Sequence, residues 1–206
     1  MSKIVHARVL ALGEFFFRRR SWTPIPFLLL LVFCRFRESS NVAAWPPGLA
    51  LIGLGEGLRL WSVAVIGKES RTRGSGATRL VTQGPYAYVR NPLYLGNLLL
   101  TLGATCISKL LWMLPIVFAL YLIQYVPIIL WEEHNLTARL GPPYAAYCQR
   151  VPRWVPRWPQ RASGAARLPY QWRAAFWSER STLGTVALLL AFMIVKTNPA
   201  HLQQYF

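Results

Sequence analysis

The chain has 206 residues, 54% of them apolar, and sets 23 lysines and arginines against seven glutamates and no aspartate, for a formal net charge of +16. That length suits one domain, and a mean hydropathy of +0.30 is high for a soluble protein. The arginines gather in loops between apolar runs, which favours a bilayer with anionic lipid over nucleic acid as the partner.

Cys34, Cys106 and Cys148 are far apart, as are His6, His134 and His201. Such spacing suggests neither a disulfide framework nor a metal site. The N-terminus does not read as a secretory signal, because Arg18, Arg19 and Arg20 follow the apolar stretch instead of preceding it.

Residues 3–20 repeat Val5, Val9, Leu12 and Phe16 at helical spacing and end in three arginines, the pattern of an interfacial helix. Trp22–Phe36 is apolar but short of the about 20 residues a full crossing needs, and is expected to span with help from its flanks. Pro46–Gly67 is a convincing span. Its Gly53 and Gly57 form a small-xxx-small pair suited to close helix contact. Its Glu56 and Arg59 share a helical face, either as a mutual ion pair or as the lining of a polar pocket.

Lys68–Arg90 reads as a basic loop with a flexible Gly74-Ser75-Gly76 patch. That patch lacks the strand and third glycine of a dinucleotide fingerprint. Pro92–Ile107, with Asn97 and Thr101, is expected as a third span, and Leu110–Trp131, with Pro115 and Pro127, as a fourth, the two forming a tight hairpin. Residues 132–180 read as a structured interfacial region rich in Trp, Tyr and Pro. Leu183–Val195 is expected to be a last, short span.

The fold class is therefore all-α: a polytopic membrane protein with about five transmembrane helices after an N-terminal interfacial helix, all within one domain over residues 1–206. The N-terminal segment, the 68–90 loop and the 132–180 region hold five, five and eight lysines and arginines, whereas the connections at 35–45 and 108–110 hold two and one. The positive-inside rule then puts the N-terminus in the cytoplasm. On the same face fall Glu132 and the stretch Gly84–Gly96, which crowds three tyrosines, Arg90, Asn91 and two prolines between two turns. Tyr121, Tyr125 and Ile128 share a face with Glu132. A tyrosine-lined face ending in a carboxylate suits an ammonium group, and tyrosine rings suit a sulfonium or ammonium charge. Alternatively, Glu132 and Glu133 neutralise nearby arginines.

Thr78-Arg79-Leu80-Val81-Thr82-Gln83-Gly84-Pro85-Tyr86, followed by Val89-Arg90-Asn91-Pro92-Leu93-Tyr94-Leu95-Gly96, resembles the first motif of the isoprenylcysteine carboxyl methyltransferase and phospholipid methyltransferase superfamily. That motif reads roughly His-x-Leu-Val-x-x-Gly-x-Tyr, then Arg-His-Pro-x-Tyr-x-Gly. The second block is similar too: Glu132-Glu133-x-x-Leu136, Leu140-Gly141-x-x-Tyr144-x-x-Tyr147, then Val151-Pro152-Arg153 and Pro156. The resemblance covers residues 50–157. It implies a small multispan enzyme that uses S-adenosylmethionine at the cytosolic face on a membrane lipid or lipidated substrate, with no metal. It also implies that Leu80, Val81, Tyr86, Asn91, Pro92 and Tyr94 line the cofactor pocket, with Arg79 and Leu93 at its unrestricted positions, while Glu132 holds the cofactor's amino group.

Three positions depart from the family pattern. Asn91 and Thr78 stand where the family has histidines; Asn91 keeps a donor and an acceptor. Ile128 stands where isoprenylcysteine methyltransferases carry an arginine suited to a substrate carboxylate. A prenylcysteine carboxylate is thus disfavoured unless Arg139 or Arg153 takes over substrate binding, and a more apolar or amine-bearing lipid is the alternative. Direct methyl transfer needs alignment and exclusion of water. An amine or phenol acceptor would also need a base, for which Glu133 and His134 are the candidates. Membrane sterol-type reductases use a similar Arg-His-Pro-x-Tyr motif with NADPH, but the second block favours the methyltransferase. A non-catalytic scaffold that keeps the fold is a further reading.

Overall fold

The computed structural model describes residues 3–20, 22, 45–67, 79–158 and 169–197. The expected span Trp22–Phe36 lies, after Trp22, outside the described residues, as do Thr78 and Gly74–Gly76. Among the described residues there are six α-helices: α1 (Lys3–Arg19), α2 (Trp45–Ile66), α3 (Pro92–Ile107), α4 (Leu114–Leu140), α5 (Pro142–Arg150) and α6 (Trp172–Thr197). There is no strand among the described residues.

Among the described residues, three helical stretches are long and apolar enough to cross a bilayer: Trp45–Ile66, Leu111–Leu140 and Trp172–Val195. At 1.5 Å per residue, the 22 residues of α2 reach about 33 Å, the thickness of the hydrocarbon layer. The shorter α3 is apolar but has only 16 residues. It leans on its neighbours, joined to α4 by a tight turn in which Lys109 takes a positive φ of 59°. Inside these helices, Ser62, Thr101 and Thr105 donate to the carbonyl four residues back, so their hydroxyls bring no unmet demand into the apolar layer.

α2 and α3 pack closely along their length, and glycine makes this possible. A methyl group on Gly55 would stand 2.8 Å from the Gly96 carbonyl, and one on Gly48 2.9 Å from that of Gly103. Each helix thus offers two glycines two turns apart, and the antiparallel backbones touch at both levels. The expected pair, Gly53 and Gly57, does not serve: neither has an atom within 4 Å of where a side chain would begin. The small residues that matter recur every seven positions, and Gly53 and Gly57 lie off that face.

Two further boundaries differ from expectation. α4 continues without a break past Trp131 to Leu140, so Glu132 and Glu133 lie within a helix and not beyond its end. α6 starts at Trp172, eleven residues before the apolar run that predicted it. The charges that hid this start include Glu179, which turns inward and is 3% exposed.

The chain runs back and forth, so the C-terminal ends of α2 and α4 meet the N-terminal ends of α3 and α6. The Gln171 amide donates to the Ala64 carbonyl at 2.8 Å, and Val65 packs on Val81 and Tyr86. At the opposite end, Ile52, Ala104, Ile107, Met113, Val117 and Met193 close the core. α1 lies against α4. The expected stripe is displaced: Gly13 and Phe17 are buried while Leu12 is 43% exposed, because the bare Gly13 backbone rests on the Pro127 carbonyl and Trp131.

Candidate functional site

The turn Gly84–Ala87 opens the site. Gly84 adopts φ 59°, and a side chain there would strike Val65, so glycine is required by both conformation and space. A short 3-10 turn then buries Pro85 and Tyr86, and Pro92 starts α3. The fixed φ and missing N–H of proline suit that first helical position.

The second sequence block comes up against this turn. The Tyr147 hydroxyl donates to the Tyr86 carbonyl at 2.8 Å. The Arg90 amide donates to the Pro152 carbonyl at 2.9 Å, and the Arg157 amide to the Tyr88 carbonyl at 3.0 Å. Glu133 locks the arrangement. Its carboxylate takes Arg153 through two bonds, Nε at 3.0 Å and Nη2 at 2.6 Å, and Arg90 Nη1 at 3.0 Å. A fork of this kind is the strong form of charge-assisted bonding. It raises the Arg153 pKa above the ordinary guanidinium range.

Glu132, one residue earlier, turns elsewhere. It interacts with the Tyr94 side chain and lies within the field of Arg20. Below it, Tyr94, Tyr121, Tyr125 and Ile128 form one buried cluster with Phe17 and Ile129. The Tyr94 and Tyr125 ring centres are 5.1 Å apart, those of Tyr121 and Tyr125 4.4 Å. The Tyr121 hydroxyl donates to the Tyr94 carbonyl at 2.6 Å, which fixes the first turn of α3 against α4. The tyrosine face read from the sequence is therefore buried as one cluster.

Three buried polar atoms of the turn have no hydrogen-bond partner among the described residues: Tyr86 Oη, Arg90 Nε and Asn91 Nδ2. Burial holds the Tyr86 phenol far above its ordinary pKa, so it remains a neutral donor. Buried polar groups are almost always partnered. Three orphans, each able to donate, fall within the six residues Tyr86 to Asn91.

A second polar cluster lies deeper. Arg59 on α2 is 3.8 Å from Glu56 and also bonds Glu179 and Thr182 of α6 and Asn97 of α3. Asn97 in turn donates to the Tyr125 hydroxyl at 3.2 Å, which ties the cluster to the tyrosines. Neither Glu56 oxygen has a hydrogen-bond partner among the described residues. The expected i,i+3 pair is thus one edge of a network spanning three helices.

The remaining sequence candidates scatter. Val81 packs beside Tyr86, whereas Leu80 faces Tyr144, Tyr147 and Val151 and Leu93 faces Val63, Ala64 and Ala175. Arg79, His134 and Arg139 are exposed; the His134 ring sits 6.0 Å from that of His6. Sequence reasoning missed four contributors: Arg90 as a partner of Glu133, Tyr147, Asn97 and Arg20. Of these, Asn97 carried a signal, since a carboxamide inside an apolar helix seldom lacks a task.

Fold and site define a helical membrane protein with a tyrosine-lined polar site, closed by a carboxylate, at one end of its bundle. The profile of the phospholipid methyltransferase family matches residues 46–141, a little under half of the chain. Protein-S-isoprenylcysteine O-methyltransferase B of Arabidopsis thaliana is 34% identical over 114 residues, which cover 53% of this chain and 57% of that protein. The cobalt-zinc-cadmium resistance protein CzcN of Cupriavidus metallidurans is 32% identical over 111 residues, 53% of this chain and 46% of the relative. The nickel-cobalt-cadmium resistance protein NccN of Alcaligenes xylosoxydans xylosoxydans is 31% identical over 99 residues, 48% and 43%. The chain spans about half the length of the curated relatives it matches. No solved structure matches.

Proposed function

We propose that this protein is a membrane-embedded methyltransferase that uses S-adenosylmethionine to methylate a lipid or lipidated substrate at the cytoplasmic face. The observation that carries this reading is the meeting of the two sequence blocks. Glu132 faces the Tyr94 hydroxyl beside a turn whose Tyr86, Arg90 and Asn91 present unpartnered buried atoms. These residues fit the amino-acid end of the cofactor: a carboxylate for its ammonium group, donors for its carboxylate, and tyrosine rings for its sulfonium. Leu80, Val81, Pro92 and Leu93 would supply apolar lining and the shape of the turn, with Arg79 at its rim.

The cofactor supplies an already activated methyl group, so the protein's task is to align the acceptor and keep water out. Tyr121, Tyr125 and Ile128 do the second by filling the space under Glu132. Glu133 serves as a clamp between Arg90 and Arg153 in this reading. For an acceptor that needs a base, exposed His134 is the less encumbered of the two candidates. Where a substrate carboxylate would seek a cation, Ile128 is completely buried and apolar, and Arg153 is engaged with Glu133. This favours an amine-bearing or apolar lipid acceptor. The arginine-rich end holds Arg90, Arg150, Arg153 and Arg157, against Lys109 at the other, which supports placing the site in the cytoplasm.

The test is ligand binding by the purified full chain in detergent or nanodiscs, followed by labelled-methyl transfer to a total membrane-lipid extract. S-adenosylmethionine and S-adenosylhomocysteine are expected to raise the unfolding temperature, and NADPH to leave it unchanged. Stabilisation by NADPH alone would point to a reductase, and by none of them to a scaffold; either result refutes the proposal.

A further inference from the structure

A cation whose field reaches Glu132 comes from the end of α1, outside the family-matched segment. Arg20 follows the last residue of that helix, with its guanidinium 4.1 Å from the centre of the Phe17 ring. Phe17 is 7% exposed, lies tilted against Trp131 with ring centres 4.8 Å apart and belongs to the cluster of Tyr94 and Tyr125. The contact of Gly13 with the Pro127 carbonyl and Trp131 holds α1 in that position. Three fixed points therefore bring one cation to the residue beside Trp131, and its field acts on Glu132, Tyr94 and Tyr125.

Resting on the cofactor reading above, we infer that Arg20 binds the α-carboxylate of S-adenosylmethionine while Glu132 binds its α-ammonium. The amino-acid end of that molecule is a zwitterion, with opposite charges on substituents of one carbon. A carboxylate and a guanidinium side by side complement it in order, each charge facing its opposite. The orphaned Asn91 Nδ2 lies at the start of α3, where the helix dipole also favours an anion. It supplies a second donor to the same carboxylate, where the family pattern has a histidine. The N-terminal helix thereby becomes part of the cofactor site and not only a packing element on α4.

Decarboxylated S-adenosylmethionine separates the two charges, since it keeps the amine and the sulfonium but lacks the carboxylate. With full-length protein in nanodiscs, Arg20→Gln is expected to weaken S-adenosylmethionine about tenfold or more, the scale of one lost charge-assisted contact, and to leave the decarboxylated ligand unchanged. Arg20→Lys should recover part of the loss. Glu132→Gln should weaken both ligands. Equal weakening of both by Arg20→Gln would overturn the inference, because Arg20 would then act through folding. Tighter binding of S-adenosylmethionine by that variant would also overturn it, marking Arg20 as a counter-ion that the cofactor displaces. Wild-type protein that binds neither ligand refutes the cofactor reading itself, a result distinct from both.

Discussion

Replacing Glu133 with glutamine decides between its two possible roles. The carboxylate accepts three bonds, two from Arg153 and one from Arg90. Glutamine is the same size but neutral, and its oxygen can serve only part of that set. Its amide nitrogen would face a guanidinium, donor against donor. Removing one partner of a buried ion pair costs about 3–5 kcal/mol. Here Arg90 and Glu133 are 14% and 13% exposed but Arg153 is 36% exposed, so water can reach Arg153 and the loss falls to about 2 kcal/mol. Unfolding of the purified protein in mixed micelles should show that loss for Glu133→Gln. A cycle with Arg153→Gln should show the two losses to be less than additive by about 1 kcal/mol. S-adenosylhomocysteine affinity should fall as well, because the clamp holds the Tyr86 turn in place. A variant as stable as wild type, with intact cofactor binding but no methyl transfer, would refute the clamp and return Glu133 to the role of base.

Three more outcomes follow from the same geometry. Glu132→Gln should weaken cofactor binding at least tenfold, about 1.4 kcal/mol, with membrane insertion and stability nearly unchanged; unaltered affinity by calorimetry would count against the pocket. Gly55→Ala should destabilise by about 1–3 kcal/mol because its methyl meets the backbone of α3. Gly53→Ala should be neutral or stabilising by up to about 1 kcal/mol, and unfolding curves in micelles that fail to separate the two would undo the α2–α3 packing. Arg59→Gln should cost about 3–5 kcal/mol by leaving Glu179 and Glu56 buried without their cation, which measured stability of the folded fraction would reveal.

Much of the site was legible because its chemistry is local. The crowding of Tyr86, Asn91, Pro92 and Tyr94 into a few positions is visible without coordinates, and so is the helical face that places Tyr121 and Tyr125 below Glu132. What was not legible depended on partners distant in sequence. Gly53 and Gly57 looked right for close contact, but which side of α2 meets α3 is set by Gly96 and Gly103, and only Gly48 and Gly55 answer them. The start of α6 was hidden because Glu179 reads as a polar break until Arg59 is known to receive it. Arg20 read as an interfacial charge, since the sequence does not show that Gly13 and Phe17 seat α1 against Trp131.

Arg59 and Glu179 lie 120 residues apart in the chain, and this separation imposes an order on biogenesis. When the ribosome has delivered α2 to the insertion machinery, its guanidinium has only Glu56 nearby, at 3.8 Å. The stronger counter-charge arrives with α6. Release of α2 sideways into lipid before then would strand a cation in hydrocarbon, so the early helices gain from lingering at the translocon until α6 has been made. A nascent chain cut short before α6 would present that stranded charge to membrane quality control as a mark of incompleteness.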